Sequence, residues 1–348
     1  MNEEKQNKSE SGHIEASSAV AGDFAGLSPD LVLDAAYSQG FAVDGRLLAL
    51  NSYENRVYQL GIEDRAPIIA KFYRPRRWSD AQIREEHAFL MSLQESEIPV
   101  IAPMTNSDGE SLFFFDQHRF ALFPRQGGRA PELSDRETLI WLGRYLGRIH
   151  AIGAQHLFAH RPSLSVEELG DQSFRTLLQG PWIEGSLREA YEAAASQMLD
   201  KVKQCFAASP EFQQLRLHGD CHLGNVLWLS EGAQQGPHFL DFDDSRNGPA
   251  VQDLWMLLSG SRSEMQTQLC DILEGYEDFF EFDTRQLGLI EPLRCLRMLH
   301  YSAWLAQRWD DPAFKQAFPW FATPRYWQEK ILEMREQIAL LDEEPLRV

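Results

Sequence analysis

Three observations predict an α+β chain of two unequal lobes, an antiparallel-sheet lobe with one main helix followed by a mainly helical lobe. Between Gly45 and Arg74 the apolar residues fall in short branched or aromatic runs split by polar turns, the texture of an antiparallel meander. Beyond Phe123-Pro124-Arg125-Gln126-Gly127-Gly128 the apolar residues recur every three or four positions, the period of helices. The length of 348 residues and the 43% hydrophobic content supply enough apolar material for roughly two domains.

Residues 1–25 are polar and without a sustained period, so they are expected to form a disordered tail. Ser28-Pro29-Asp30 is a helix start, and Gly40 closes that helix. The runs Arg46 to Leu50, Asn55 to Leu60 and Ile68 to Tyr73 are the three meander strands. Trp78 to Gln94 carries Ile83, His87, Leu90 and Leu93 on one helical face, with Ser79 as its cap. Two more strands are expected at 112–115 and 119–123, which completes an N-terminal lobe over 26–125. In the second lobe, 126–348, Leu142, Leu146 and Ile149 stripe a helix whose Gly143 and Gly147 permit close approach of another helix. Further helical texture covers 186–207, 249–258, 263–280, 285–307 and 326–341.

Charge narrows the function. The chain carries 33 basic and 52 acidic side chains, a net charge of −19, and the sequence after the first 25 residues still stands at −16. Such a surface does not suit general nucleic-acid binding, which requires basic groups against phosphates. No run has the length or apolarity of a membrane span or signal peptide. Cys205, Cys221, Cys270 and Cys295 are scattered, with no zinc or redox spacing. A cytoplasmic monomer, with neither nucleic acid nor membrane as partner, is the expectation.

The chemistry is concentrated in Leu217-His218-Gly219-Asp220-Cys221-His222-Leu223-Gly224-Asn225 and in Phe239-Leu240-Asp241-Phe242-Asp243-Asp244. An acid and an amide stand five positions apart before one strand, and a second acid ends the next. Two strands joined by a turn would return Asp241 beside Asn225. This suits phosphoryl transfer from a magnesium-bound nucleotide, because Mg2+ takes hard oxygen ligands and keeps several waters. Asn225 and Asp241 are the expected metal ligands, and Asp220 the base that takes the acceptor's proton.

These motifs resemble the catalytic and metal-binding loops of the protein-kinase-like superfamily, in the form used by aminoglycoside and choline kinases. Leu142-Gly143-x-x-Leu146-Gly147-Arg148-Ile149-His150 is similar to the helix that precedes the catalytic loop in that branch. Within the branch, LNSYENRVY at 50–58, IIAKFYRPRRW at 68–78 and RNGPAVQDLWMLL at 246–258 resemble the bacterial stress response kinase A family of serine/threonine protein kinases. The resemblance spans about residues 28 to 345. It implies a bilobal protein-kinase-like fold, ATP and Mg2+ as cofactors, and a protein substrate with a serine or threonine acceptor.

The same resemblance implies further roles. Lys71 would contact the α- and β-phosphates, with a helical glutamate as partner. Glu85 and Glu86 both qualify, and Glu86 is preferred because Leu90 and Leu93 follow it at i+4 and i+7. The turn Asn51 to Asn55 has no glycine, so backbone amides are not expected to approach phosphate freely, and Ser52 would contact it through its hydroxyl. Phe120 to Gln126, with Phe123 at its centre, is the expected hinge against adenine. Only eleven residues separate Asp241 from Asp253, too few for a phosphorylation-ordered activation loop, so activity without such phosphorylation is expected. Asp253 is expected to brace the catalytic loop.

Some residues have blander readings. Asp243 and Asp244 are expected to be solvent-exposed or to cap a helix, with a second-metal role the lesser option. Arg74, Arg76, Arg77 and Trp78 read as a solvated strand end, with steering of an acidic partner the lesser option. Tyr301 and Trp304 read as core, with an acceptor wall as the minority reading. Ser9, Ser11, Ser17 and Ser18 are candidate autophosphorylation sites. A small-molecule kinase for an amino-alcohol, sugar or aminoglycoside is the nearest rival function. A non-catalytic nucleotide-binding regulator and a metallophosphoesterase fit less well: the first has no use for Asp220, and the second needs another order of motifs.

Overall fold

The computed structural model describes residues 23–133, 135–231 and 235–348. The expected tail, with its candidate serines, falls outside the described residues as far as residue 22. Asp23 already belongs to the fold, since its carboxylate pairs with Arg74 and Arg76, each at 2.8 Å. The fold is α+β, as the sequence predicts.

Helix α1 (Pro29–Ser38) starts where Ser28 accepts the N–H of Leu31, and then come strands β1 (Val43–Ala49), β2 (Arg56–Ile62) and β3 (Arg65–Phe72). Helix α2 (Asp80–Glu95) is opened by a capping box between Ser79 and Gln82, and β4 (Phe113–Phe115) and β5 (His118–Pro124) follow. The five strands form one antiparallel sheet in the order β1-β2-β3-β5-β4, in which Lys71 stands between Val57 and Ala121. Alternation along β3 assigns the two faces. Ala70 and Phe72 join Leu60, Phe120 and Leu122 against Val32, Ala35 and Ala36 of α1. Lys71 and Tyr73 face the other way, toward α2.

The inner side of α2 does not stay with the sheet. Phe89, Leu90 and Leu93 belong to the large core of the second half, and Ile101 donates its N–H to the carbonyl of Phe239 at 3.2 Å. That core is built from α3 (Arg136–Gly153), α4 (Ser173–Gln179), α5 (Gly185–Ala208), α6 (Val251–Trp255), α7 (Arg262–Tyr276), α8 (Ile290–Gln307), α9 (Pro312–Ala317) and α10 (Pro324–Leu340). Two small antiparallel ribbons interrupt the helices. One pairs β6 (Leu215–Leu217) with β9 (Arg246–Gly248), and the other pairs β7 (Val226–Leu229) with β8 (Gly236–Phe239). Among the described residues no helix is long and apolar enough to cross a membrane.

Helices α3 and α7 meet backbone to backbone. A Cβ on Gly143 would run into the carbonyl of Ile272, and one on Gly275 into that of Ile140. Rigid backbone cannot yield as a flexible side chain can, so this crossing specifies glycine by space. Gly143→Ala is expected to lower stability by about 1–3 kcal/mol, the usual cost of overpacking, with urea denaturation as the measurement.

Candidate active site

The catalytic loop is held from below by one buried acid. Strand β6 delivers His218, whose N–H donates to Asp253 Oδ2 at 2.8 Å, and Gly219 donates to Oδ1 at 2.9 Å. Asp253 is fully buried on α6 and also faces His150 Nε2 at 3.1 Å, while His150 Nδ1 meets the Tyr276 hydroxyl at 2.8 Å. The bracing role expected of Asp253 is therefore visible as two backbone hydrogen bonds. Gly219 sits at φ +88, and a Cβ there would strike the carbonyl of Asp244, so both conformation and space call for glycine.

This loop carries Asp220 into the cleft. Its Oδ1 accepts from Arg297 Nη1 at 2.5 Å, and Oδ2 lies 3.4 Å from His222 Nε2. The ring of His222 accepts the Gly224 N–H at Nδ1, so a neutral ring carries its proton on Nε2, toward the carboxylate. Burial works against ionisation of Asp220, but the hydrogen bond from His222 and the Arg297 guanidinium outweigh it and hold the carboxyl well below the usual carboxylate range. Arg297 has no signal in the sequence beyond its place one and two turns before Tyr301 and Trp304 on the same helical face.

Asn225 donates Nδ2 to the Asp220 carbonyl at 3.0 Å, which leaves its Oδ1 available. Its carbonyl accepts the Leu240 N–H at 3.0 Å, so the β7–β8 ribbon brings Asn225 and Asp241 together as the spacing predicts. Asp241 adopts a left-handed conformation (φ 59, ψ 64), rare for a residue with a Cβ, and its side chain is half-exposed. Among the described residues no cluster of three or more His, Cys, Asp or Glu could hold a metal alone. One amide oxygen and one accessible carboxylate fit a hard cation that draws its remaining ligands from phosphate and water.

Lys71 is the centre of an ion-pair network. Its Nζ lies 3.1 Å from Asp241, 3.2 Å from Asp243 and 4.0 Å from Glu86. Burial disfavours its charge, yet these three carboxylates, Asp241 foremost, keep its pKa well above the ordinary value. The two candidate glutamates have different partners. Glu86 is buried and faces both Lys71 and Arg161, the latter at 2.7 Å. Glu85 instead accepts the backbone N–H groups of Ala159, His160 and Arg161 at 2.6–2.8 Å.

Several expectations are corrected. Asp243 is not solvent-exposed; it is buried against Lys71, Arg77 and the Asn55 amide. Asp244 pairs with Arg77 at 2.7 Å. Arg74 is buried and Arg77 largely buried as ion-pair partners rather than a solvated strand end, and of the three arginines only Arg76 is largely exposed. The side chain of Phe123 packs with Tyr73, Ile83, Leu112 and Ala121, edge-on to His87, and does not line the cleft. It lies on the same sheet face as Lys71 but behind it, because α2 covers that position.

The cleft between the sheet and the helices has a volume of about 530 Å³ and is lined by Ser52, Asp220, Asn225 and Asp241 together. Its far wall is α8, where Tyr301 and Trp304 stack at 5.7 Å and face the cavity. The minority reading of these two residues matches this position.

Residues 46–290 match the phosphotransferase enzyme family. Stress response kinase A of Escherichia coli (strain K12) is 45% identical over 325 residues, covering 93% of this chain and 97% of the relative. A protein of Salmonella typhimurium named serine/threonine protein kinase RdoA is 44% identical with the same coverage. Among solved structures, amicoumacin kinase hAmiN in complex with AMP-PNP and Ca2+ superposes with a TM-score of 0.70 at 19% identity, covering 91% of this chain and 94% of that one. A microcompartment-associated aminopropanol kinase gives 0.64 at 19% identity, covering 88% and 96%. These likenesses in sequence, over nearly the whole length of chain and relatives, make the protein a member of the phosphotransferase enzyme family, in the branch of the stress response kinase A proteins.

Proposed function

We propose that the protein is an ATP- and Mg2+-dependent kinase that phosphorylates serine or threonine hydroxyls of proteins in a bacterial stress response, acting as a cytoplasmic monomer. One observation carries the reading: Asp220, Asn225 and Asp241 line a single cleft, and buried Lys71, 170 positions from Asp241 in sequence, meets the Asp241 carboxylate at 3.1 Å. The protein acceptor is supported by the name of the RdoA relative.

In this reading Lys71 meets the α- and β-phosphates and Ser52 offers its hydroxyl to a phosphate. Asn225 Oδ1 and Asp241 hold magnesium, which when bound neutralises charge on the phosphates. Asp220 is ionised and orients the acceptor hydroxyl, and Oδ2 takes its proton as the new P–O bond forms. Arg297 keeps Oδ1 occupied, so Oδ2, which His222 faces at 3.4 Å, is the oxygen that turns to the acceptor. Phe123 would shape the back of the nucleotide site, with any hinge contact to adenine left to the backbone. The segment from Asp241 to Asp253 is filled by a short turn, β9 and the start of α6, which supports activity without phosphorylation there.

A small-molecule acceptor is the second reading, favoured by the stacked Tyr301 and Trp304 on the wall facing Asp220. The two are separated by transfer from γ-labelled ATP with Mg2+, offered either a basic protein or a pool of amino-alcohols and aminoglycosides. Label on protein, lost in Asp220→Ala and Asp241→Asn, is the expected result. Label confined to the pool would move the function to the second reading.

A further inference from the structure

The turn from Asn51 to Asn55 stands where a glycine-rich phosphate loop is expected, yet it has no glycine. None of its residues needs one, since none has positive φ. What fixes the turn is Arg74, buried immediately after β3. Its Nε donates to the Glu54 carbonyl at 2.8 Å, Nη2 to the Tyr53 carbonyl at 3.0 Å, and its backbone N–H to Asn55 Oδ1 at 3.1 Å. Arg56 adds a second donor to the Tyr53 carbonyl at 3.1 Å.

Each peptide unit is planar and trans, so its C=O and N–H point in opposite directions. Drawing the Tyr53 and Glu54 carbonyls to Arg74 therefore turns the N–H groups of Glu54 and Asn55 away from it. Neither N–H has a hydrogen-bond acceptor among the described residues. Tyr53, Glu54 and Asn55 line the cleft, and Arg74 does not. Two unused donors side by side form a concave anion site of the kind that successive backbone amides make.

The turn is also fastened to the helical lobe. Asp311, just before α9, bonds Arg74 and Arg56, each at 2.9 Å. Glu54 accepts from Trp304 Nε1 at 2.5 Å and from Arg308 at 3.0 and 3.1 Å, and its carboxylate also pairs with Arg74 at 3.1 Å, so three donors share its charge. Tyr53 packs edge-on to Phe318 at 4.9 Å.

We propose that Arg74 is the positioning residue of a glycine-free phosphate loop, aiming the Glu54 and Asn55 amides at the terminal phosphates of the nucleotide, with Asp311 anchoring the assembly to the helical lobe. This rests on the nucleotide-binding part of the proposed function. It adds backbone donors to the Ser52 hydroxyl, because arginine-held carbonyls supply the orientation that glycine supplies elsewhere.

The test is equilibrium binding of AMP-PNP with Mg2+, compared with adenosine, for the wild type, Arg74→Lys and Asp311→Asn. Arg74→Lys keeps the charge and loses the fork. It is expected to weaken AMP-PNP binding by about tenfold or more while adenosine changes by less than about twofold, a contrast that general loosening would not give. Asp311→Asn should show the same contrast at about threefold, and it decides alone where Arg74→Lys does not fold. Equal losses for both ligands, or AMP-PNP binding unchanged in the variants, would overturn the positioning role while leaving the nucleotide site in place. A wild type that binds neither ligand would overturn the nucleotide reading and this inference with it.

Discussion

Asp220→Asn is expected to lower kcat by about 10²–10⁴-fold, the range for loss of a positioned general base, with the KM for ATP changed little. The asparagine keeps the size and can still accept from Arg297, so the braced loop, whose hydrogen bonds run to Asp253, stays in place. What is lost is the oxygen that takes the acceptor proton. Steady-state kinetics with ATP and acceptor varied separately measure this. A comparable rise in the KM for ATP would mean that the loop had moved and that the residue's role is architectural. The pH profile supplies a second readout. The pKa of Asp220 is depressed, so the base stays ionised as pH falls, and the acid side of kcat is expected to remain flat down to about pH 5. Arg297→Gln removes one of the groups that depress it. The acid limb should then move to higher pH.

The residues read most directly from the sequence lie within a short local pattern. Asp220, Asn225 and Asp241 are separated by a loop and one hairpin, so their spacing nearly dictates their proximity, whereas Lys71 is singled out only by the family resemblance of its strand. Glu86 is distinguished from Glu85 only by the helical period, because adjacent helical residues point about 100° apart. One side chain meets the lysine and the other caps a remote loop. Phe123 shows the limit of that kind of reasoning. Its position at the end of β5 is legible, but the face its side chain takes depends on α2 covering that part of the sheet. Asp243, Arg74 and Arg77 depart from the sequence expectation because isolated charged residues are usually exposed. Their partners lie far away in the chain, and nothing local announces that three or four charges will be buried together. The Arg297 contact to Asp220 spans 77 positions and is equally silent.

The buried network gives the largest expected stability effect. Asp243→Asn should destabilise the fold by about 3–5 kcal/mol, the cost of leaving buried charge without its partner. The lower end is expected, because Arg77 retains Asp244 and Lys71 retains Asp241 and Glu86. The reason lies in the geometry: among the described residues Asp243 is the one carboxylate that touches both Lys71 and Arg77, and it also accepts from the Asn55 amide, so a single change weakens strand β3, the phosphate turn and the segment after β8 together. The pH dependence has a definite sign. Burial opposes the charge of Asp243, but Arg77 and Lys71 hold its pKa below the usual value. A depressed carboxylate contributes stability above its unfolded pKa and loses it as pH falls through the folded one. Wild type and variant should therefore differ most near neutrality, and their urea midpoints should converge as the pH is lowered below about 4. A constant difference across that interval would assign the loss to packing rather than to the ion pairs.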